Sequence, residues 1–246
     1  MDIVFQHGGG QGGWVWNDTI AEMERQAPGA HRYLALDMPG CGKKLDRDTT
    51  AISFDDIVRE QLGDIAAAGF AKVMMVGHSQ AGTVIPPMVE RRADLFRHLV
   101  LVSCVAPAPG EKVRSCAAAF HENDAVNLIT ADIPMLERHR LMHCPDMTRA
   151  QQEKFLAAVG TDWWPASSYA QDQWSRDHLG DVSSTYVICL QDKSLPAQAQ
   201  AIFADRFRSG RRVQIDCGHQ AMNARPSGLA EILLIEADRL LTGMPA

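Results

Sequence analysis

The chain has 246 residues, 46% of them hydrophobic and 22% charged, with a formal net charge of −6 at pH 7. That length allows one domain with a sizeable core and an insertion, and the composition is that of an ordinary soluble globular protein. The acidic balance argues against nucleic acid, which needs clustered Lys and Arg, and no window approaches the apolar length that spans a bilayer.

The first predicted element is a strand over 2–6, DIVFQ, and nothing at the N-terminus reads as a signal peptide. The glycine-rich stretch HGGGQGGWVW follows at 7–16, with a helix expected over 15–27 and Trp14 and Trp16 expected as helix-packing residues. This stretch lacks the Lys-Ser/Thr ending of a phosphate loop. It is no dinucleotide fingerprint either, because Asp37, after a strand at 33–37, opens the turn DMPGCG. A helix is predicted over 53–69, with Ser53 as N-cap and Asp55 and Asp56 in its first turn. The next strand, 72–76, runs directly into Gly77-His78-Ser79-Gln80-Ala81-Gly82 and a helix over 80–92.

A serine at such a boundary is held by something other than local propensity. A sharp strand-to-helix turn lifts one side chain above the sheet and demands small neighbours two residues away, here Gly77 and Ala81. Ser79 then sits at a helix N-terminus, where N–H groups favour developing negative charge. His78 is expected to point away from Ser79 and to pack.

A strand at 98–103 ends in the proline-rich APAPGE, and no strand pattern appears again until 185–190. Residues 107–183 are therefore expected to form a cap over the sheet edge, with a helix over 148–159 started by Thr148. In this segment Trp163 and Trp164 are candidates for an aromatic substrate wall, while Met135, Met142 and Met147 read as packing. His139 and His143, with Cys144 nearby, do not form an H-E-x-x-H zinc pattern, so no metal is expected. A last strand at 212–216 and helices over 197–208 and 226–242 complete the chain. Continuous apolar strands alternating with helices indicate a mainly parallel, doubly wound α/β sheet of about six strands, built from 1–106 and 184–246.

A serine hydroxyl needs a base to act as nucleophile, and the base needs an orienting carboxylate. His219 lies just beyond the last strand, and Asp192 just beyond the one before it. Asp216, three residues before His219, is the rival acid. The chain order Ser79, Asp192, His219 is the order expected on such a sheet. Oxyanion donors are expected from the amides of Gln80 and Gly9, with Gly8 and Gly10 shaping the turn beside the substrate.

On these residues the sequence resembles the α/β-hydrolase superfamily. Within it, the sequence resembles the small branch that includes plant methylesterases, hydroxynitrile lyases and related bacterial esterases. The likeness is carried by IVFQHGGGQGGWVW, DMPGCG, VGHSQAG, LVLVSCVAPAPGE and DCGH. It implies an α/β-hydrolase fold, a Ser-His-Asp triad in a pocket roofed by a cap, and no cofactor. The lyases of that branch carry a threonine after the strand histidine and a lysine after the catalytic histidine. Here Gly8 and Gln220 hold those substrate-facing positions, so cyanohydrin cleavage is disfavoured. The expected activity is hydrolysis of a small carboxylic ester or lactone. Carbon–carbon bond hydrolysis or a cofactor-free natural-product step on the same triad is the alternative, and a non-catalytic ligand-binding protein lies further off. Six singly scattered cysteines read as free thiols of a cytoplasmic protein, and a homodimer is left open.

Overall fold

The computed structural model describes residues 1–116, 120 and 132–243. Its sheet contains β1 (Asp2–Gln6), β2 (Arg32–Leu36), β3 (Val73–His78), β4 (Phe96–Val102), β5 (Ser184–Cys189) and β6 (Arg211–Ile215). The order across the sheet is β2-β1-β3-β4-β5-β6, and every pair is parallel. All six expected strands are present, with ends within two residues of the sequence pattern. The chain leaves β1 towards one edge and β3 towards the other. A crevice therefore opens between their carboxyl ends, the place where open parallel sheets bind ligands.

The helices of the first half are α1 (Asn17–Gln26), α2 (Phe54–Ala67) and α3 (Ala81–Arg91). Between β4 and β5 the described residues hold no strand but three α-helices, α4 (Met135–His143), α5 (Arg149–Ala158) and α6 (Ala166–Ala170), and a 3-10 turn at Asp177–Asp181. The last three are α7 (Ala197–Arg206), α8 (Ala221–Ala224) and α9 (Pro226–Thr242). Part of the segment expected to be a cap, residues 117–119 and 121–131, lies outside the described residues.

The strands read as unbroken apolar runs because both faces of the sheet are covered, and alternate side chains serve opposite faces. Val4, Met75, Leu101 and Tyr186 pack with Ile57 of α2, Ile85 of α3 and Phe203 of α7. Ile3, Phe5, Val76, Val100 and Val187 pack with Met23 of α1 and Leu229 and Leu233 of α9. Helix starts follow the sequence signals. Ser53 Oγ accepts from Asp56 N while Asp56 Oδ2 accepts from Ser53 N, both at 3.1 Å, and Thr148 with Gln151 repeats the arrangement at α5. The helix expected over 15–27 is divided instead. A tight 3-10 turn at Gly13–Trp16 precedes α1 and buries Trp16 against Phe5, with ring centroids 5.0 Å apart.

Candidate active site

Ser79 stands between β3 and α3 with φ of +53°, a conformation that costs a non-glycine residue about 1–3 kcal/mol and persists only where neighbours enforce it. Three backbone hydrogen bonds do so. Ser79 N donates to Val102 O (3.2 Å), and Ser79 O accepts from Gly82 N (3.2 Å) and Val105 N (2.9 Å). The small neighbours are required as the sequence implied, since a Cβ on Gly77 would lie 3.2 Å from that of Ala81 and closer still to Ile85.

His219 and Asp192 converge on this serine from the loops after β6 and β5. His219 Nε2 is 3.0 Å from Ser79 Oγ, and His219 Nδ1 is 2.6 Å from Asp192 Oδ2. An ionised carboxylate only accepts, so Nδ1 carries the proton and Nε2 is left to accept from the serine hydroxyl. Asp192 is fully packed away, and burial alone would raise its pKa. The charge and hydrogen bond of His219, with the Ser103 hydroxyl and the Leu195 amide, hold it below the usual carboxylate range. Its oxygens accept from Ser103 Oγ (2.6 Å), Ser194 N (2.7 Å) and Leu195 N (2.8 Å) besides His219. Asp216 is exposed and accepts from Gln191 Nε2 (3.1 Å), so it is not the carboxylate that meets His219. His78 is fully buried and its Nε2–H donates to His219 O (2.9 Å), tying the histidine loop to β3. Burial, helped by the nearby His219, pushes the His78 ring well below the usual histidine range.

Ser79 and His219 open onto a cavity of about 410 Å³ that Gly9, Gly10, Gln80 and Trp163 also line. The Gln80 side chain lies so close over Gly9 that a Cβ there would collide with Oε1. One face of α4 supplies Met135, Arg138, His139, Met142 and His143 to the same cavity. Met135 and Met142 are thus cavity wall rather than the packing expected of them, whereas Met147 does pack, with Cys144 and Phe155.

Three expected substrate neighbours do not line the cavity. Trp164 is buried, donates from Nε1 to Gly8 O (3.1 Å) and meets His7 edge-on, so it clamps the glycine loop from behind. Gly8 is caught between that indole and β3, where a Cβ would lie 3.0 Å from both His78 Nδ1 and Ser79 Cβ. Gln220 is fully buried and starts α8, its carbonyl accepting from Asn223 N (3.0 Å) and Ala224 N (2.9 Å).

Sequence reasoning missed several contributors. Ser103, at φ +43° just after β4, gives Asp192 a hydrogen bond, and its position at a strand end was the available signal. Asp162 is buried and joins three loops, accepting from Gly42 N (2.5 Å) and Trp14 Nε1 (3.1 Å). No local pattern marks it. Among the described residues no group of three His, Cys, Asp or Glu side chains could hold a metal ion, and no helix is long and apolar enough to cross a membrane. All six cysteines are buried and unpaired.

Residues 3–232 match the Alpha/beta hydrolase family. A carbendazim hydrolyzing esterase of Nocardioides sp. (strain SG-4G) is 30% identical over a stretch covering 46% of this chain and 45% of that protein. Probable esterase PIR7A of Oryza sativa subsp. indica is 26% identical over 94% of this chain and 95% of its own. The crystal structure of polyneuridine aldehyde esterase superposes with a TM-score of 0.77 at 20% identity, covering 96% of this chain and 98% of that one, a likeness of fold.

Proposed function

This chain belongs to the alpha/beta hydrolase family, on its esterase-type side, and we propose that it cleaves a small carboxylic ester or lactone through an acyl-enzyme on Ser79. The observation that carries the reading is the unbroken chain of hydrogen bonds from Ser79 Oγ through His219 to Asp192. The esterase names of the relatives favour ester cleavage over carbon–carbon bond hydrolysis. Gly8 argues against cyanohydrin cleavage as well, because where the lyases of the resembled branch carry a threonine it brings no hydroxyl to the space beside Ser79 and His78.

In the proposed mechanism His219 Nε2 takes the hydroxyl proton as Ser79 Oγ attacks the ester carbonyl. Asp192, held ionised by its four donors, keeps Nδ1 protonated and stabilises the imidazolium that forms. The amides of Gly9 and Gln80 receive the oxyanion, each donor being worth on the order of 10²–10³ in rate. The carbonyl re-forms, the C–O bond to the alcohol breaks, and His219 returns its proton to the departing oxygen. Water then adds to the acyl-enzyme, giving a proton to His219, and as the bond from the acyl carbon to Ser79 Oγ breaks His219 returns that proton to Ser79 and the acid leaves. Residues 107–183 act as the cap that selects the substrate.

Ser79→Ala should remove hydrolysis of a p-nitrophenyl ester and covalent labelling by a fluorophosphonate while leaving the melting temperature near wild type. Unchanged turnover in that variant would falsify the proposal.

A further inference from the structure

The helical segment between β4 and β5 does more than wall the cavity. At its centre His143, the last residue of α4, turns its ring onto that of His219, with centroids 5.4 Å apart and planes tilted by 36°. The ring of His219 also meets that of His78, with centroids 4.6 Å apart. His219 thus touches two imidazoles, one from β3 and one from outside the sheet. His143 is wedged in its turn, against Phe155 of α5 at 6.2 Å and with Nδ1 3.4 Å from Nδ1 of His139.

Three residues on, Asp146 reaches the same loop. Its Oδ2 accepts from Gly218 N (2.8 Å), the amide next to His219, and the fit is so close that a Cβ on Gly218 would lie 2.6 Å from Asp146 Oδ1. That second oxygen is buried without a partner. Arg225 Nη1 donates to Asp146 O (3.2 Å), and Ala224 packs with Cys144, Met147 and Phe155. The stretch 143–147 therefore grips the chain on both sides of His219.

We propose that His143 and Asp146 are positioning residues which set the orientation of the His219 imidazole from outside the sheet, so that the activation of Ser79 depends on this segment being seated. The inference rests on the proposed role of His219 as base. The groups facing His219 are His78 and Ser79 from the β3 end, Asp192 from the loop after β5, and His143, with His139 behind it, from α4. Among the described residues, the carboxylate hydrogen-bonded to the His219 ring is Asp192, and Asp146 bonds the neighbouring Gly218 amide instead. Desolvation by the surrounding side chains, together with the proximity of His219 and His139, holds His143 well below the usual histidine range, so this side of the base stays neutral. A neutral ring there can pack on the imidazolium without repelling it.

The test reads the activation of Ser79 without asking the cavity to recognise a substrate. The second-order rate of labelling by a small fluorophosphonate is measured for wild type, Asp146→Ala, Asp146→Asn, His143→Ala and His143→Phe, beside kcat and KM for p-nitrophenyl acetate and the melting temperature. Both alanine variants are expected to label roughly tenfold more slowly, since small misplacements of a catalytic group carry large rate costs. Their loss should fall on kcat and leave KM within a small factor. Asp146→Asn keeps an acceptor for Gly218 N, and His143→Phe keeps a ring against His219, so each should recover most of the labelling rate. If Asp146→Ala or His143→Ala does not fold, the rates of Asp146→Asn and His143→Phe decide, and a tenfold loss in either contradicts the proposal. Alanine variants that label at the wild-type rate overturn it too, including the case where only KM moves, which would make these residues cavity wall alone. A wild-type protein that does not label at all overturns the reading of Ser79 instead.

Discussion

The sheet with its flanking helices and the helical segment between β4 and β5 are built on different principles. In the first, both faces of every central strand disappear under apolar side chains, and β3 and β5 are buried from end to end. In the second, α4 has no buried residue and α5 has only Phe155, while Met135, Leu136 and Trp163 are large apolar side chains left exposed. A close-packed interior resists displacement, so groups that need tenths of an ångström of accuracy belong on the sheet. Ser79, Asp192 and His219 all stand at its strand ends. The sparsely packed segment is where a cavity can be re-lined at little cost to folding.

The widest gap between the two regions should appear at the carboxylate. Asp192→Asn should lower kcat for a p-nitrophenyl ester by on the order of 10³–10⁴, because the amide no longer fixes the tautomer of His219. Asp216→Asn, three residues from that histidine but bonded to Gln191, should leave kcat near wild type. A large loss in Asp216→Asn with little loss in Asp192→Asn would mean that the acids had been assigned the wrong way round.

Packing under the serine turn should give the next largest effect. A Cβ on Gly82 would press into the carbonyl oxygen of Val105, the residue whose amide latches Ser79 O at 2.9 Å. Gly82→Ala should therefore cost about 1–3 kcal/mol of stability, as overpacking does, and reduce turnover by more than the melting shift alone explains. Calorimetry and ester kinetics on one preparation check both parts.

The pH dependence of stability should also belong to the sheet. His98 on β4 is buried between Ser183 Oγ (2.7 Å) and Thr185 Oγ1 (3.1 Å), and burial pushes its pKa down to about 4 despite Glu236 3.7 Å away. Glu236 is engaged by Arg211 at 2.9 Å, so His98 stays neutral in the fold. The unfolded chain binds a proton near pH 6.5 that the folded one refuses until about 4. The stability that His98 contributes is whole above 6.5 and drains away as the pH falls through that window, by about 3 kcal/mol. His98→Gln should flatten chemical-denaturation stability between pH 6.5 and 4.

These contrasts explain what the sequence could and could not disclose. The strands, the serine turn and the order of serine, acid and histidine are written in short local patterns, since apolar runs and turn residues act over a few positions. Asp192 and His219 were legible because both follow a strand directly. Trp164 was misplaced because its partner, the Gly8 carbonyl, lies 156 residues away, and nothing in TDWWPASSY says which indole turns inward. Ser103, Asp146 and Asp162 act across similar gaps, Ser103 reaching Asp192 over 89 residues. Gln220 was set at the cavity by its place after His219, yet the chain starts α8 there and carries the side chain into the interior.

The smallest effects on stability should come from the segment itself. Trp163 is 49% exposed and reaches the fold through its backbone, its amide donating to Gly40 O (3.3 Å), while its side chain lines the cavity. Leu136 is 51% exposed and is not among the cavity residues. Trp163→Ala and Leu136→Ser should both leave stability within about 0.5 kcal/mol of wild type, as surface changes usually do. They should differ in catalysis. Removing the indole widens the cavity beside Ser79, so kcat/KM should shift several-fold towards bulkier acyl or alcohol groups across a series of esters, whereas Leu136→Ser should leave the series in its original order. A melting temperature that falls steeply in Trp163→Ala would mean that this indole helps hold the fold together, and that the division between a rigid sheet and a replaceable wall has been drawn in the wrong place.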